Sequence, residues 1–284
     1  MALMGAVLSD ISSNARLKVY PATEVLQVSN APIFRAPGWE PQKRSYDVPA
    51  KGKGKDPERA LEVSRARARA AVRDIALCNQ FDYFITWTLD GSLINRYDAD
   101  EVKRRVLTFL KNKVHRNGFA YVIVPEFHKD GAIHFHGLCK LGTMRLERAV
   151  NARTGQPMSS EKGQPIFNMP DWTLGYSTCI PIDGNYERTC NYMVKYFTKD
   201  SRKIFGKWYL SARACVKKPH IVDCPPVEFN DAVDEVKLAV GDQWIINPSK
   251  YLFILQERVP YPDGAEFNVE EGKAYGSGDA APGD

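Results

Sequence analysis

The spacing of hydrophobic residues predicts alternating strands and helices in the middle of the chain. Residues 81–89 are mostly aromatic or β-branched, which is typical of a buried strand. Apolar residues then recur at helical spacing over about 99–116, and Asp98 is placed to cap that helix. Two more strands are predicted at about 119–127 and 132–140, joined by a tight turn. The order is therefore strand, helix, strand, strand.

Prolines and glycines mark the flanking regions. Residues 1–56 contain several prolines and a flexible basic stretch, and are predicted to be irregular. A helix rich in arginine is predicted to begin at Pro57, with Asp56 as its cap, and to extend to about Leu77. The later elements predicted from the pattern are a loop at 151–171, a strand near 174–182, a helix at about 186–199 and a strand at 205–212.

Charge divides the chain at about residue 222. The net charge is +5, yet residues 223–284 contain four basic and thirteen acidic side chains, a net of −9, so the remainder carries +14. A basic body favours a polyanion such as nucleic acid, although an ordinary solvated surface fits the composition equally well. We therefore expect three parts: an irregular segment at 1–56, a domain at 57–222 and an acidic region at 223–284. Within the acidic region, the pattern predicts a helix at 231–240, an apolar strand at 251–255 and a disordered end from about 262.

Several classes of protein are disfavoured by the same sequence. No apolar run approaches the length of a membrane span, and the N-terminal residues do not resemble a secretory signal. Six cysteines without a Cys-x-x-Cys pair favour reduced thiols over disulfides. We therefore expect a cytoplasmic protein without a membrane partner.

Two histidines one residue apart, His134 and His136, are the first indication of chemistry. On a strand they project from one face, while Ile133 and Phe135 project from the other. Two imidazoles on one face suit a divalent metal, although an ordinary polar strand face is the more frequent explanation of such a pair.

A third metal ligand depends on the turn that joins the two strands. A two-residue loop places Glu126 on the face opposite His134, whereas a three-residue loop ending at Gly131 places the two side by side. Gly131 occupies the position where such loops commonly have a left-handed glycine. A bulge at Pro125 would change this register, and His128 is a competing ligand on the same face.

The ligand types indicate which metal is expected. Two histidines, one carboxylate and open coordination positions suit Mg²⁺ or Mn²⁺ acting on a phosphate. A closed zinc site would require nearby thiolates, and Cys139 points away from the histidine face. The sequence therefore predicts Mg²⁺ or Mn²⁺ held by His134, His136 and Glu126.

The predicted helix at 186–199 has two distinct faces. One face is an apolar stripe, formed by Cys190, Met193, Val194 and Phe197. The opposite face combines tyrosines with lysines, namely Tyr192, Lys195, Tyr196 and Lys199. Packed aromatics among solvated lysines are the usual explanation of such a face. However, a neighbouring lysine and a metal on a phosphate both favour a phenolate, so these tyrosines are also candidate nucleophiles.

Together these motifs resemble the rolling-circle replication initiators of the His-hydrophobic-His (HUH) endonuclease superfamily, in particular the branch that contains filamentous-phage gene II proteins. The resemblance covers about residues 75–215. Residues 84–89 resemble the first motif of these proteins, and residues 124–137 resemble the metal motif. Residues 192–199 resemble the nucleophile motif in its two-tyrosine form.

The resemblance implies an α+β fold of the ferredoxin or RRM-like type, with a central antiparallel sheet flanked by helices. It implies a metal-dependent nick in one strand of single-stranded DNA at a replication origin, through a 5′-phosphotyrosine. Tyr192 and Tyr196 would be the nucleophiles, assisted by Lys195 and Lys199. The chain contains no P-loop sequence, so unwinding would require a host helicase, with a host polymerase extending the 3′ end in the bacterial cytoplasm.

Two other functions are compatible with the same motifs. A relaxase or transposase would use the same chemistry in a different process. A non-catalytic DNA-binding protein would keep the fold without the reaction, although every residue expected for catalysis is present.

Overall fold

The computed structural model describes residues 12–29, 31–39, 56–182, 186–195, 203–228 and 251–257. The chain divides into two compact units, one formed by 1–48 with 219–284 and the other by 49–218. The described helices are α1 (Pro57–Asn79), α2 (Ala99–Asn117) and α3 (Tyr186–Lys195). The described strands are β1 (Ser12–Ser13), β2 (Ala15–Val19), β3 (Thr23–Ser29), β4 (Phe34–Arg35), β5 (Tyr83–Leu89), β6 (Ala120–Phe127), β7 (Ile133–Lys140), β8 (Glu147–Arg148), β9 (Phe167–Asn168), β10 (Gly175–Pro181), β11 (Leu210–Ser211), β12 (His220–Asp223) and β13 (Tyr251–Glu257).

The unit at 49–218 is built on a seven-stranded sheet with the strand order β11-β6-β7-β5-β10-β9-β8. Its neighbouring strands pair in antiparallel fashion. The predicted α+β fold with a central antiparallel sheet is thus confirmed. Strand β7, which carries the two histidines, lies between β5 and β6 and is therefore an interior strand.

One face of this sheet forms an aromatic core with α2. Trp87 of β5 is fully buried and stacks on Trp172 with ring centroids 4.3 Å apart. Phe109 of α2 meets both indole rings edge-on, at 5.5 and 5.0 Å. Because side chains alternate along a strand, every second residue of β5 points into this core, and the others point to the opposite face of the sheet.

Both predicted helix caps are confirmed. The Asp56 side chain accepts a hydrogen bond from the Arg59 N–H at 2.9 Å, and Asp98 accepts from two N–H groups in the first turn of α2. At the other end of α2, Gly118 adopts a left-handed conformation that ends the helix. The predicted helix bounds are correct to within two residues at the ends of α1 and α2.

The turn between β6 and β7 contains three residues. The His128 N–H donates to the Ala132 carbonyl at 2.8 Å, and Gly131 has a φ of +86°. This geometry pairs Glu126 with His134, as the three-residue interpretation predicts.

Pro125 does not introduce a bulge, since it pairs with Phe135 in uninterrupted register. Odd-numbered residues of β6 direct their backbone groups towards β11, as the hydrogen bond from the Ala212 N–H to the Tyr121 carbonyl shows. Within the described residues, β11 pairs only with Val122 and Ile123. Among the described residues, the missing N–H of Pro125 therefore faces an edge without a partner strand, so no hydrogen bond between them is lost.

The unit formed by 1–48 and 219–284 differs from the sequence-based expectation. The structure contains four strands within 12–35, where irregular structure was expected. Strands β2 and β3 pair with each other and with two strands from the C-terminal part, in the order β12-β2-β3-β13. The C-terminal strands β12 and β13 are about two hundred residues away from β2 and β3 in the sequence. Pairing over such a distance cannot be predicted from a local sequence pattern. The helix expected at 231–240 and the disordered end expected from 262 lie outside the described residues.

Two smaller features also differ from expectation. The loop expected at 151–171 contains the short strand β9, and the strand expected at 205–212 is limited to β11. Residues 204–207 instead form a tight turn. None of the six cysteines, all of which lie in the described residues, forms a disulfide. No described helix combines the length and the apolar character needed to cross a bilayer.

Candidate functional site

Hydroxyl groups on the neighbouring strand orient the two histidines. Strand β5 pairs Thr86 with His136 and Thr88 with His134. Thr86 Oγ1 lies 3.1 Å from His136 Nδ1, and Thr88 Oγ1 lies 3.4 Å from His134 Nδ1. Each Nδ1 is thus held towards β5, and each Nε2 points away from it. Neither threonine was predicted to be a site residue, although alternation along the strand already places both on the face opposite Trp87.

Glu126 reaches the same face from β6. Its side chain is only 8% exposed, and its Oε2 lies 3.3 Å from His136 Nε2. Although Glu126 pairs with His134 in the sheet, its observed contact is diagonal, with His136. The structure therefore brings one carboxylate and one imidazole nitrogen into direct contact, with the second histidine beside them on β7.

The partial fit of these donors to a divalent ion can be judged from their spacing. Two ligands about 2.1 Å from one octahedral ion stand about 3 Å apart. The 3.3 Å between Glu126 Oε2 and His136 Nε2 is close to that separation. Among the described residues, however, no three His, Cys, Asp or Glu side chains are already arranged as a metal site. The pair Glu126 and His136 fits an ion, while His134 stands beside it as the third candidate.

The His134 ring packs against the His128 ring rather than against Glu126. The two imidazole rings stack with centroids 4.7 Å apart, and His128 Nδ1 is 3.2 Å from an Asp130 carboxylate oxygen. Burial, and secondarily the positive charge of His128, lowers the pKa of His134. The His134 ring is therefore neutral near pH 7, which is the form that can bind a metal.

Helix α3 brings Tyr192 to the histidine face. The Phe84 ring of β5 lies 6.3 Å from the His136 ring and 5.6 Å from the Tyr192 ring, measured between centroids. The Tyr192 side chain is 47% exposed, so a substrate can reach it. The buried side chains of Cys190 and Met193 confirm those two members of the predicted apolar stripe. One phenylalanine therefore contacts both a candidate metal ligand and a candidate nucleophile.

The other residues predicted for this helix are only partly described. Lys195 is the last residue of α3, and its side chain lies outside the described part of the chain. Tyr196 and Lys199 also lie outside the described residues.

Tyr186 anchors the start of α3, a role that the sequence analysis missed. Its hydroxyl donates to the Ala76 carbonyl and accepts from the Phe81 N–H, both at 2.8 Å. Burial strongly raises the pKa of Tyr186, so this tyrosine stays protonated and serves packing. The contact fixes α3 against the end of α1, upstream of Tyr192.

Comparison with known proteins identifies one similarity. Residues 82–201 match the model of a family of replication-associated proteins, described as the ORF2 and gene II protein type. The match spans strands β5, β6, β7 and β10 together with α3, and therefore contains the whole histidine face. Searches of curated proteins and of solved structures gave no match. Over these residues the chain is therefore similar to replication-associated proteins.

Proposed function

We propose that the protein is a metal-dependent endonuclease that nicks one DNA strand at a replication origin and stays joined to its 5′ end through a tyrosine. The position of Phe84, against both His136 and Tyr192, carries this proposal. It puts a candidate nucleophile on the same side of the sheet as the histidines and Glu126. The similarity of residues 82–201 to replication-associated proteins supports the role in replication.

The metal-binding part of the proposal assigns Mg²⁺ or Mn²⁺ to Glu126, His136 and His134. Glu126 is buried, and a buried carboxylate requires a cationic or hydrogen-bonding partner. The neutral imidazole of His134 is ready to bind without losing a proton. When bound, the ion would stabilise negative charge on the scissile phosphate.

The nucleophilic part assigns the attack to the hydroxyl of Tyr192 or Tyr196. The tyrosine oxygen forms a bond to phosphorus as the bond from phosphorus to the 3′ oxygen breaks. The tyrosine loses its proton, and the departing 3′ oxygen takes one up. Lys195 and Lys199 would stabilise the phenolates. Because the phosphotyrosine is again a phosphodiester, the reverse reaction can rejoin the strand without ATP.

The resemblance of the histidine and tyrosine motifs to those of replication initiators favours a strand that is unpaired at the point of cleavage. We infer that single-stranded DNA at the origin is the substrate. The released 3′-hydroxyl would prime a host polymerase, and a host helicase would supply unwinding.

A covalent adduct tests the nucleophile. Incubation with a single-stranded origin oligonucleotide and Mn²⁺ is expected to give an SDS-resistant protein–DNA band. The double change Tyr192→Phe with Tyr196→Phe should abolish the band, because both candidate nucleophiles are removed. The matched control Tyr176→Phe removes an even more exposed tyrosine, 68% accessible, from β10 and should leave the band unchanged.

A second variant tests the metal ligands. His136→Ala should reduce adduct formation more than about 100-fold while most DNA affinity remains, because basic contacts dominate binding. An adduct that survives the double tyrosine change, or forms equally in excess chelator, would overturn the proposal. The two single tyrosine variants show which residue attacks first.

A further inference from the structure

A second surface of the unit at 49–218 has the character of a nucleic-acid site. It is a cleft of about 1330 Å³ between the C-terminal half of α2, residues 107–116, and residues 203–213. Small-molecule pockets usually enclose about 300–1,000 Å³. This cleft, named here the α2–β11 cleft, is therefore larger than a site for one small ligand.

The charge of the α2–β11 cleft is one-sided. Among the described residues, its lining contains five basic side chains and no acidic one, in a chain with 39 basic and 34 acidic residues overall. The five are Lys111, Arg116, Lys203, Lys207 and Arg213. Four of them, all except Lys203, are exposed. Within the described residues none of the five forms an ion pair. The cleft therefore presents unneutralised positive charge to a polyanion.

Aromatic rings lie among these charges. Tyr121, Trp208 and Tyr209 line the cleft, and the Lys203 ammonium is 5.7 Å from the centre of the Trp208 ring. Trp208 is held in place by a hydrogen bond from its Nε1 to Ser64 Oγ of α1, at 3.1 Å. Fixed aromatic rings beside cations are what a single strand requires, because its unpaired bases can stack while its phosphates meet the charges.

A tight turn sets the positions of two of the lysines. Phe205 and Gly206 both have positive φ, +59° and +69°, and the Lys207 N–H donates to the Ile204 carbonyl. A positive φ is rare for a bulky residue, and here the Phe205 ring stacks on Phe135 with centroids 6.1 Å apart. The turn is thereby fixed to the sheet, with Lys203 directly before it and Lys207 as its last residue.

The α2–β11 cleft lies on the opposite face of the sheet from the histidines. Tyr121, which lines it, is an odd-numbered residue of β6, whereas Glu126 is even-numbered and points to the other face. Contacts in the cleft are therefore separate from the contacts of the proposed nicking site.

We propose that the α2–β11 cleft binds a segment of single-stranded DNA away from the nick, through phosphate contacts to its lysines and arginines and base stacking on Trp208. The inference rests on the proposed function in one respect only, that DNA is the partner. Such a site would retain the DNA while the histidine face acts on a different nucleotide.

The test measures binding without cleavage. The full-length protein, in EDTA, is titrated against a fluorescent oligothymidine longer than about 16 nucleotides, at several salt concentrations. The double variant Lys207→Gln with Arg213→Gln should bind more than tenfold more weakly, and the slope of log K against log salt should fall by about 1.4, at about 0.7 per lost phosphate contact. The matched pair Arg153→Gln with Lys162→Gln, one arginine and one lysine exposed elsewhere in this unit, should change neither quantity.

A third variant separates stacking from charge. Trp208→Leu should weaken binding about tenfold and leave the salt slope unchanged, because no charge is lost. Circular dichroism shows whether each variant is folded. The Lys207 and Arg213 changes leave the hydrogen bond between Trp208 and Ser64 intact, so they test the proposal even if Trp208→Leu fails to fold. The proposal is overturned if the Lys207 and Arg213 variant keeps the original slope. It is equally overturned if the losses appear for duplex DNA as much as for the single strand. Because the assay contains no metal and scores no adduct, its result is independent of whether the nicking proposal stands.

Discussion

The two faces of the central sheet are formed by alternating residues of the same strands, but one face is apolar and buried and the other carries the polar candidate site. On one face Trp87 and Phe135 are at most 1% exposed and pack into an aromatic core. On the other, Thr86 and His136 alternate with them, remain partly accessible and form polar contacts. A register shift of one residue would exchange the two sets. The apolar face therefore fixes the register on which the polar face depends.

Removal of a core side chain should produce the largest effect. Trp87→Ala deletes a fully buried indole that contacts Trp172 and Phe109, and should lower the free energy of unfolding by about 3–5 kcal/mol. Urea denaturation followed by circular dichroism measures this. On the opposite face, Thr88→Val keeps the shape of the side chain and loses one hydrogen bond, to His134, so it should lower the same quantity by only about 0.5–1.5 kcal/mol. A Trp87→Ala protein as stable as the original would contradict the division into a core face and a polar face.

A change on the polar face should affect metal affinity rather than stability, if the metal role proposed above is correct. Thr86→Val removes the hydroxyl 3.1 Å from His136 Nδ1 and keeps the shape of the side chain. Loss of such an outer contact typically weakens metal binding about 10–100-fold. Calorimetric titration of the full-length protein with Mn²⁺ measures it.

Thr178→Val is the matched control for that experiment. Thr178 of β10 pairs with Thr86 and projects from the same face, and no hydrogen bond links it to either histidine among the described residues. Equal losses for both variants would show that Thr86 acts through general packing of the face and not through His136.

Local patterns explain which parts of this arrangement the sequence predicts. The turn at Gly131 fixes the pairing of Glu126 with His134, and all of these residues lie within ten positions of one another. The length of the turn is therefore enough to predict the pairing from the sequence. The pairing of Thr86 with His136 spans fifty residues and depends on which strands become neighbours, which no local pattern reports. For the same reason the α2–β11 cleft was not predicted, since α2 and residues 203–213 are distant in sequence.

The strands within residues 12–35 were not predicted, for a related reason. Strand β2 has only five residues, and its other neighbour in the described sheet, β12, comes from the C-terminal part of the chain. The prolines in the surrounding segment favoured a prediction of irregular structure over the short hydrophobic pattern of these strands. In contrast, the caps Asp56 and Asp98 were predicted correctly, because a cap acts on the next three residues.

The smallest effect expected concerns the ion pair that ties α2 to the loop behind the core face. Lys113 Nζ of α2 is 2.6 Å from Asp171 Oδ1, with both side chains largely buried, and Asp171 directly precedes the core residue Trp172. The hydrogen bond from Lys113, followed by that from the Arg145 N–H, lowers the pKa of Asp171. Asp171→Asn should therefore destabilise the protein by about 1.5 kcal/mol near pH 7.

This destabilisation should depend on pH in a defined direction. The folded-state pKa of Asp171 is below the unfolded value of about 3.9, so its contribution is complete above that value and is lost as the pH falls through the folded pKa. The difference in unfolding free energy between Asp171→Asn and the original protein should thus be constant from about pH 5 to 7 and shrink below about pH 4. Urea denaturation at each pH, with Lys113→Gln and the double variant completing a cycle, measures the coupling. A difference that persists unchanged at about pH 3 would mean that Asp171 supports the core face by packing alone, and that the charge on α2 contributes nothing to it.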